Sequence, residues 1–273
     1  MVQSHVSYRW TTSQADATPE SSRPPAGFQR GRVLDSAMLL VLAVLAAASS
    51  PIPPASRQIV LSVSASWDAT NARVRRYERA SAEAPWVAAG DAVGGSLGRT
   101  GLAWGKGLQR SALGGPTKRE GDGKSPAGVF DLRLATGYAP EAPPGTHLPY
   151  RQATPTLRCV DDPRSAFYNR LVDEREVAKD WSSAEDMRRS DSLYRLVVWV
   201  GHNDAPIAPD AGSCIFLHLR AASASVTAGC TAFDEAPMEG LLRWLDPEKR
   251  PVLVQLPEAV WRSLAAEWGL PRP

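Results

Sequence analysis

His218 and Cys230, twelve residues apart, are the pair in this chain best suited to chemistry. A thiolate is the working form of a cysteine nucleophile, and an imidazole within reach supplies the base that takes the thiol proton. Gly229 precedes the cysteine and lets the backbone approach a bound group closely, and the amides of Gly229 and Cys230 are placed to donate to a developing oxyanion. The loop between the pair, LRAASASVTAG, is long enough to return Cys230 to His218. These parts suit acyl transfer through a thioester. The competing reading is two ordinary core residues that fall close together.

Other chemistries fit the same residues less well. The cysteines at 159, 214 and 230 match neither a disulfide-dense scaffold nor a CxxC-type zinc pattern. Cys214, His218 and Cys230 fail as zinc ligands on distance, because strand residues four apart lie roughly 13 Å apart along the axis. Neither a metal nor an organic cofactor is expected. A Cys159–Cys214 disulfide would leave Cys230 free, but spacing alone does not give their separation. His202, in GHND, reads as a turn residue, with a role in the cleft as its second reading; His147 reads as surface. Asp161, Asp162, Asp173 and Glu174 read as solvated turn charges, and Glu120 and Asp122 as groups that fix their loop.

The elements that must position the pair are mostly strands. In SCIFLHL, Ile215, Leu217 and Leu219 share one face while Cys214, Phe216 and His218 share the other, so an aliphatic core turns His218 toward a cleft beside Phe216. QIVLSVSAS alternates Ile59, Leu61 and Val63 against polar neighbours, and DATN turns it into ARVRRYER as a hairpin. Strands are also expected at Val129 to Leu134, in YRLVVWV and in RPVLVQL. The six glycines of GGSLGRTGLAWGKGL follow no βαβ pattern and read as close backbone approaches in loops. Met238, Leu241, Leu242 and Leu245 fall at helical spacing behind Asp234 as N-cap, and PEAVWRSLAAEWG closes with a helix, Pro257 near its start and Gly269 past its end. Many strands with a few late helices make a mixed β-rich (α+β) domain.

At 273 residues and 43% apolar content the chain has ample material for a substantial core. With 31 Lys plus Arg against 29 Asp plus Glu and no basic stripe interleaved with aromatics, nucleic acid is excluded as a partner. Residues 1–36, rich in Ser, Thr, Pro and Arg, read as a disordered extension. Residues 37–57 read as a signal peptide, or an uncleaved anchor, followed by a linker: AMLLVLAVLAAA lies behind Arg30 and Arg32 and runs into small residues and PIPP. Residues 58–273 then form the folded domain.

Taken in order, GRTGLAWGKGL, KREGDGKSPAGVFDL, CVDDPRSAFYNRLVD, VVWVGHNDAP and IFLHL…TAGCTAF resemble the L,D-transpeptidase catalytic domain family (YkuD-like), over nearly all of residues 58 to 256. The resemblance implies a β-sandwich-like catalytic domain, exported to the periplasm or cell wall, monomeric, and acting without cofactors. Its substrates would be peptidoglycan stem peptides, as acyl donor and as amine acceptor. Cys230 would be the nucleophile and His218 the base, with Gly229 beside the oxyanion hole. Thr227 takes the Ser/Thr place of the Ser/Thr-x-Gly-Cys motif, and the DGKSPAG loop with Ser125 corresponds to one that borders the cleft. Lys118 and Arg119, on that loop, together with Phe216 and His202, complete the candidate substrate-binding set. Ala228, Thr231 and Leu219 depart from the family pattern. The alternatives are hydrolysis of the same acyl-enzyme, as an L,D-carboxypeptidase or amidase, or a wall-binding module without catalysis.

Overall fold

The computed structural model describes residues 50–109, 114–222 and 225–273; the extension at 1–36 and the apolar run at 37–48 lie outside the described residues. Fourteen strands and two helices are described: β1 (Gln58–Ser64), β2 (Asn71–Glu78), β3 (Val87–Ala88), β4 (Val93–Ser96), β5 (Leu102–Trp104), β6 (Ser125–Gly137), β7 (Tyr150–Gln152), β8 (Leu157–Val160), β9 (Leu171–Asp173), β10 (Ala184–Asp186), β11 (Leu196–Val200), β12 (Phe216–Leu219), β13 (Thr231–Phe233), α1 (Glu235–Trp244), β14 (Val252–Pro257) and α2 (Glu258–Trp268). A mixed β-rich domain with a few helices is therefore what the chain forms.

The main sheet runs β1-β14-β6-β11-β12-β13-β4-β2, and β1 also pairs with β2, so these eight strands close into a barrel. The expected sandwich-like arrangement of sheets gives way to a closed ladder, which leaves these strands without a free edge. β1 and β2 form the expected hairpin. β1 also lies parallel to β14, so its supposedly exposed polar positions are buried. Ser62 answers that burial by donating to Gln255 Oε1 at 3.0 Å. Thr231 donates to the same oxygen at 3.0 Å, and because β13 and β14 are not ladder neighbours this bond crosses the barrel interior.

α2 starts after Pro257 and ends at Gly269, whose φ of 64° is one that glycine adopts without strain. Asp234 stands at the N-cap of α1 but makes no side-chain cap bond. Its carboxylate instead takes the fork of Arg220, from Nε at 2.8 Å and Nη2 at 2.6 Å, a charged bidentate pairing stronger than a neutral cap bond.

A separate three-stranded sheet, β10-β8-β9, comes from the segment between β7 and β11. Two carboxylates expected to be solvated are buried there. Asp162 accepts from Arg164 and from Ser182, and Asp173 from Arg175, which holds both well below the usual carboxylate range. They turn the loops of this sheet, whose β8 and β10 carry Cys159 and Glu185 in register opposite one another.

Candidate active site

β12 and β13 are parallel neighbours, Leu217 opposite Thr231 and His218 opposite Ala232. Cys230, one residue ahead of β13, thus lies beside the start of β12. The strand alternation is as expected: Ile215, Leu217 and Leu219 enter the main core, while Cys214, Phe216 and Cys230 join a second cluster with Cys159, Tyr194 and Trp199. That second face is packed rather than open, and His218 is only 7% exposed.

The backbone at Cys230 is pinned from two sides. Thr227 Oγ1 donates to the Cys230 carbonyl at 2.6 Å and accepts from the Gly229 amide at 3.1 Å. Ser125 Oγ donates to the same carbonyl at 2.7 Å and accepts from the Gly98 amide at 2.9 Å. Gly98 must be glycine for this, because a Cβ there would stand 2.3 Å from the Gly123 carbonyl oxygen. The Gly229 amide is committed to Thr227, so the Cys230 amide is the better candidate for an oxyanion donor.

The sulfur itself accepts from the Phe216 amide at 3.3 Å. Burial pushes the thiol up, and the Glu185 charge adds to that, while the Phe216 amide, the Lys118 ammonium and the Tyr194 hydroxyl act in the opposite direction. Cys230 is therefore a thiol at neutral pH. His218 Nδ1 lies 2.6 Å from the Leu219 carbonyl, which can only accept, so Nδ1 carries the proton and Nε2 is left as the basic nitrogen. Burial pushes the imidazole down to about 4, which keeps it neutral at neutral pH, with Nε2 unprotonated.

Both residues line a cleft of about 520 Å³, together with Gly229, Thr227 and Lys118 from the expected set. Lys118 bonds Asp122 at 2.6 Å and the Arg119 carbonyl at 2.9 Å, and its Nζ would lie 3.9 Å from a Cβ at Gly229. The other expected contacts lie elsewhere. Ser125 and Phe216 are fully buried and act on Cys230 from beneath, and Arg119 is exposed outside the cleft. His202 is 1% exposed, its Nε2 donating to the Ala211 carbonyl at 3.0 Å and its ring edge-on to Phe130, and burial pushes it down to about 3. Glu120 and Asp122 do fix their loop: Glu120 accepts from Tyr168 and Ser213, and Asp122 from the Arg119 and Lys124 amides.

Cys159 and Cys214 form a disulfide, leaving Cys230 as a free, buried thiol. Cys214 lines the cleft, so the bridge ties β8 to its wall. Asp161, Glu185, Arg189, Tyr194 and Arg99 also line it. Arg99 comes from the β4–β5 loop; no periodicity or motif marks Glu185, Arg189 and Tyr194 in the sequence, and they reach the cleft because the three-stranded sheet and the loop after it lie against it. A second groove of about 470 Å³, lined by residues including Trp104, Asp131 and Asn203, carries neither cysteine nor histidine.

No family model, curated protein or solved structure matches the chain.

Proposed function

We propose that this protein is a cysteine acyl-transferase of the L,D-transpeptidase kind, exported and acting on peptidoglycan stem peptides. The observation that carries the proposal is the state of the pair: a pinned thiol and a neutral histidine, its Nδ1 proton spent on the Leu219 carbonyl, in one cleft. The ordered motif resemblance supplies the substrate class. The Cys159–Cys214 bridge supports export, since disulfides persist in oxidising compartments.

In the proposed course His218 Nε2 takes the thiol proton and the Cys230 sulfur attacks the peptide carbonyl. The Cys230 amide holds the tetrahedral oxygen, where a preorganised donor is most effective. Collapse breaks the C–N bond, the leaving amine takes the proton from His218, and a thioester remains. A second stem's amine then attacks the thioester, passes its proton to His218 and regenerates the thiol.

The test is product analysis on a disaccharide tetrapeptide. Cross-linked dimers from wild type and none from Cys230→Ala are expected. Shortened stems alone would make water the acceptor, and identical products from wild type and Cys230→Ala would end the enzyme reading.

A further inference from the structure

Tyr194 has no part in the course just described, yet it packs against His218 and lies in the buried cluster that holds Cys230. Its ring packs edge-on against His218, centroids 5.1 Å apart at 66°, and against Phe216 at 5.6 Å and 80°. Its hydroxyl donates to Glu185 Oε2 at 2.5 Å, and Tyr194 shares a buried cluster and the cleft wall with Cys230, whose thiol the tyrosine hydroxyl pulls down. Tyr194 is 5% exposed, so this arrangement is not a solvated surface contact. Glu185 is brought there by β10, which pairs with β8, and the Cys159–Cys214 disulfide ties β8 to the cleft wall.

We propose that Tyr194, with Glu185 holding its hydroxyl, is a further positioning residue of the site: its ring fixes the His218 imidazole, and its hydroxyl sets how readily Cys230 yields its proton. With Glu185 ionised, the Tyr194 hydrogen is held by the carboxylate and the negative charge opposes a thiolate. When Glu185 takes a proton, its own O–H donates to the tyrosine oxygen, and the tyrosine O–H is released toward the sulfur. Nothing is consumed; one proton on Glu185 moves one hydrogen bond from the carboxylate to the thiolate.

The surroundings allow this exchange near neutrality. Burial is the main cause that pushes Glu185 up to about 7, with Asp161 and Glu120 adding to it and Tyr194 and Arg189 opposing. Arg189 is held by Asp191 on the His218 side, and Lys118 lies by Gly229, where its charge favours the thiolate. The thiol and Glu185 are therefore a coupled pair of like charge, whose titrations belong to both.

The proposal rests on Cys230 as nucleophile but not on the substrate, so its test uses no muropeptide. Cys230 is the one cysteine outside the disulfide, so alkylation of the oxidised full chain by iodoacetamide reports on it alone. Rates are measured from pH 5 to 10 for wild type, Tyr194→Phe and Glu185→Gln. Tyr194→Phe keeps the ring and loses the hydroxyl: its rate at pH 8 is expected to fall about tenfold, an apparent pKa about one unit higher. Glu185→Gln removes the charge while its amide donates to the tyrosine oxygen: its rate is expected to rise about tenfold, an apparent pKa about one unit lower. Either variant tracking wild type across the range overturns the proposal, as do shifts in the same direction. If Tyr194→Phe does not fold, as judged by circular dichroism, the Glu185→Gln profile decides alone. Wild-type alkylation that follows this pattern without any muropeptide product would leave the proposal standing and remove the transpeptidase reading.

Discussion

The Phe216 amide donates to the Cys230 sulfur at 3.3 Å, and Phe216 itself is fully buried. A strand thereby points a backbone donor at the sulfur from the side away from solvent. The donor costs nothing to organise when the thiolate forms, because the β11–β12 and β12–β13 ladders already fix the strand on both sides. The sulfur's position is thus a property of the barrel, and several consequences of that are measurable.

Two hydroxyls share the Cys230 carbonyl, so losing one leaves the other in place. Ser125→Ala is expected to cost about 1–3 kcal/mol, because it also strands the Gly98 amide, and Thr227→Val about 1 kcal/mol. The double variant should lose about 1 kcal/mol more than the sum, since the buried carbonyl then has neither partner. Urea unfolding of the four proteins checks this; additive losses would mean that the two bonds do not back each other up.

The disulfide spans a sequence separation of 55 residues. The chain-entropy account gives a loop of that size about 4 kcal/mol of stability. Replacing both Cys159 and Cys214 by Ser should therefore lower the melting temperature by well over 5 °C, measured without reductant, and the same protein should no longer respond to dithiothreitol. A melting temperature equal to wild type would show that β8 is held to the cleft wall by packing alone.

Two buried histidines make the fold sensitive to acid. His218 and His202 are pushed down to about 4 and about 3, below the ordinary value of 6.5 that applies in the unfolded chain. As the pH falls through 6.5 the unfolded chain takes up protons that the folded chain refuses, so stability is full above that value and declines until the folded-state values are passed. Between pH 7 and pH 4 the loss is about 3 kcal/mol for each. Urea midpoints between pH 7 and pH 4 should drop steeply for wild type and less steeply for His202→Gln. An equal slope in both would remove His202 from the account.

Much of the site was legible because strand periodicity and the His–Cys spacing are local properties. The alternation in SCIFLHL put His218 and Phe216 on one face, and Gly269 ended the last helix where its backbone freedom is needed. Four features were not legible. The polar face of β1 looked solvated, since only the parallel partner β14 buries it. Asp234 looked like a cap because its competitor, Arg220, lies fourteen residues upstream. His202 could be read toward the cleft because the residue that covers it, Phe130, belongs to a strand far away in the chain. Tyr194 and Glu185 carried no signal, for the same reason: their meaning arises from the docking of a separate small sheet.

Gln255 accepts from Ser62 and from Thr231, the residue that follows Cys230, and donates to the Pro126 carbonyl at 2.9 Å. The chain that carries the sulfur is therefore anchored by a single amide to strands on the far side of the barrel. Substitutions on β1, a strand with no contact to the cleft, can displace the reactive atom without greatly weakening the fold. If Cys230 is the nucleophile proposed above, remote interior positions bear on activity through ångström-level placement of its sulfur, and a variant that folds well can still be silent.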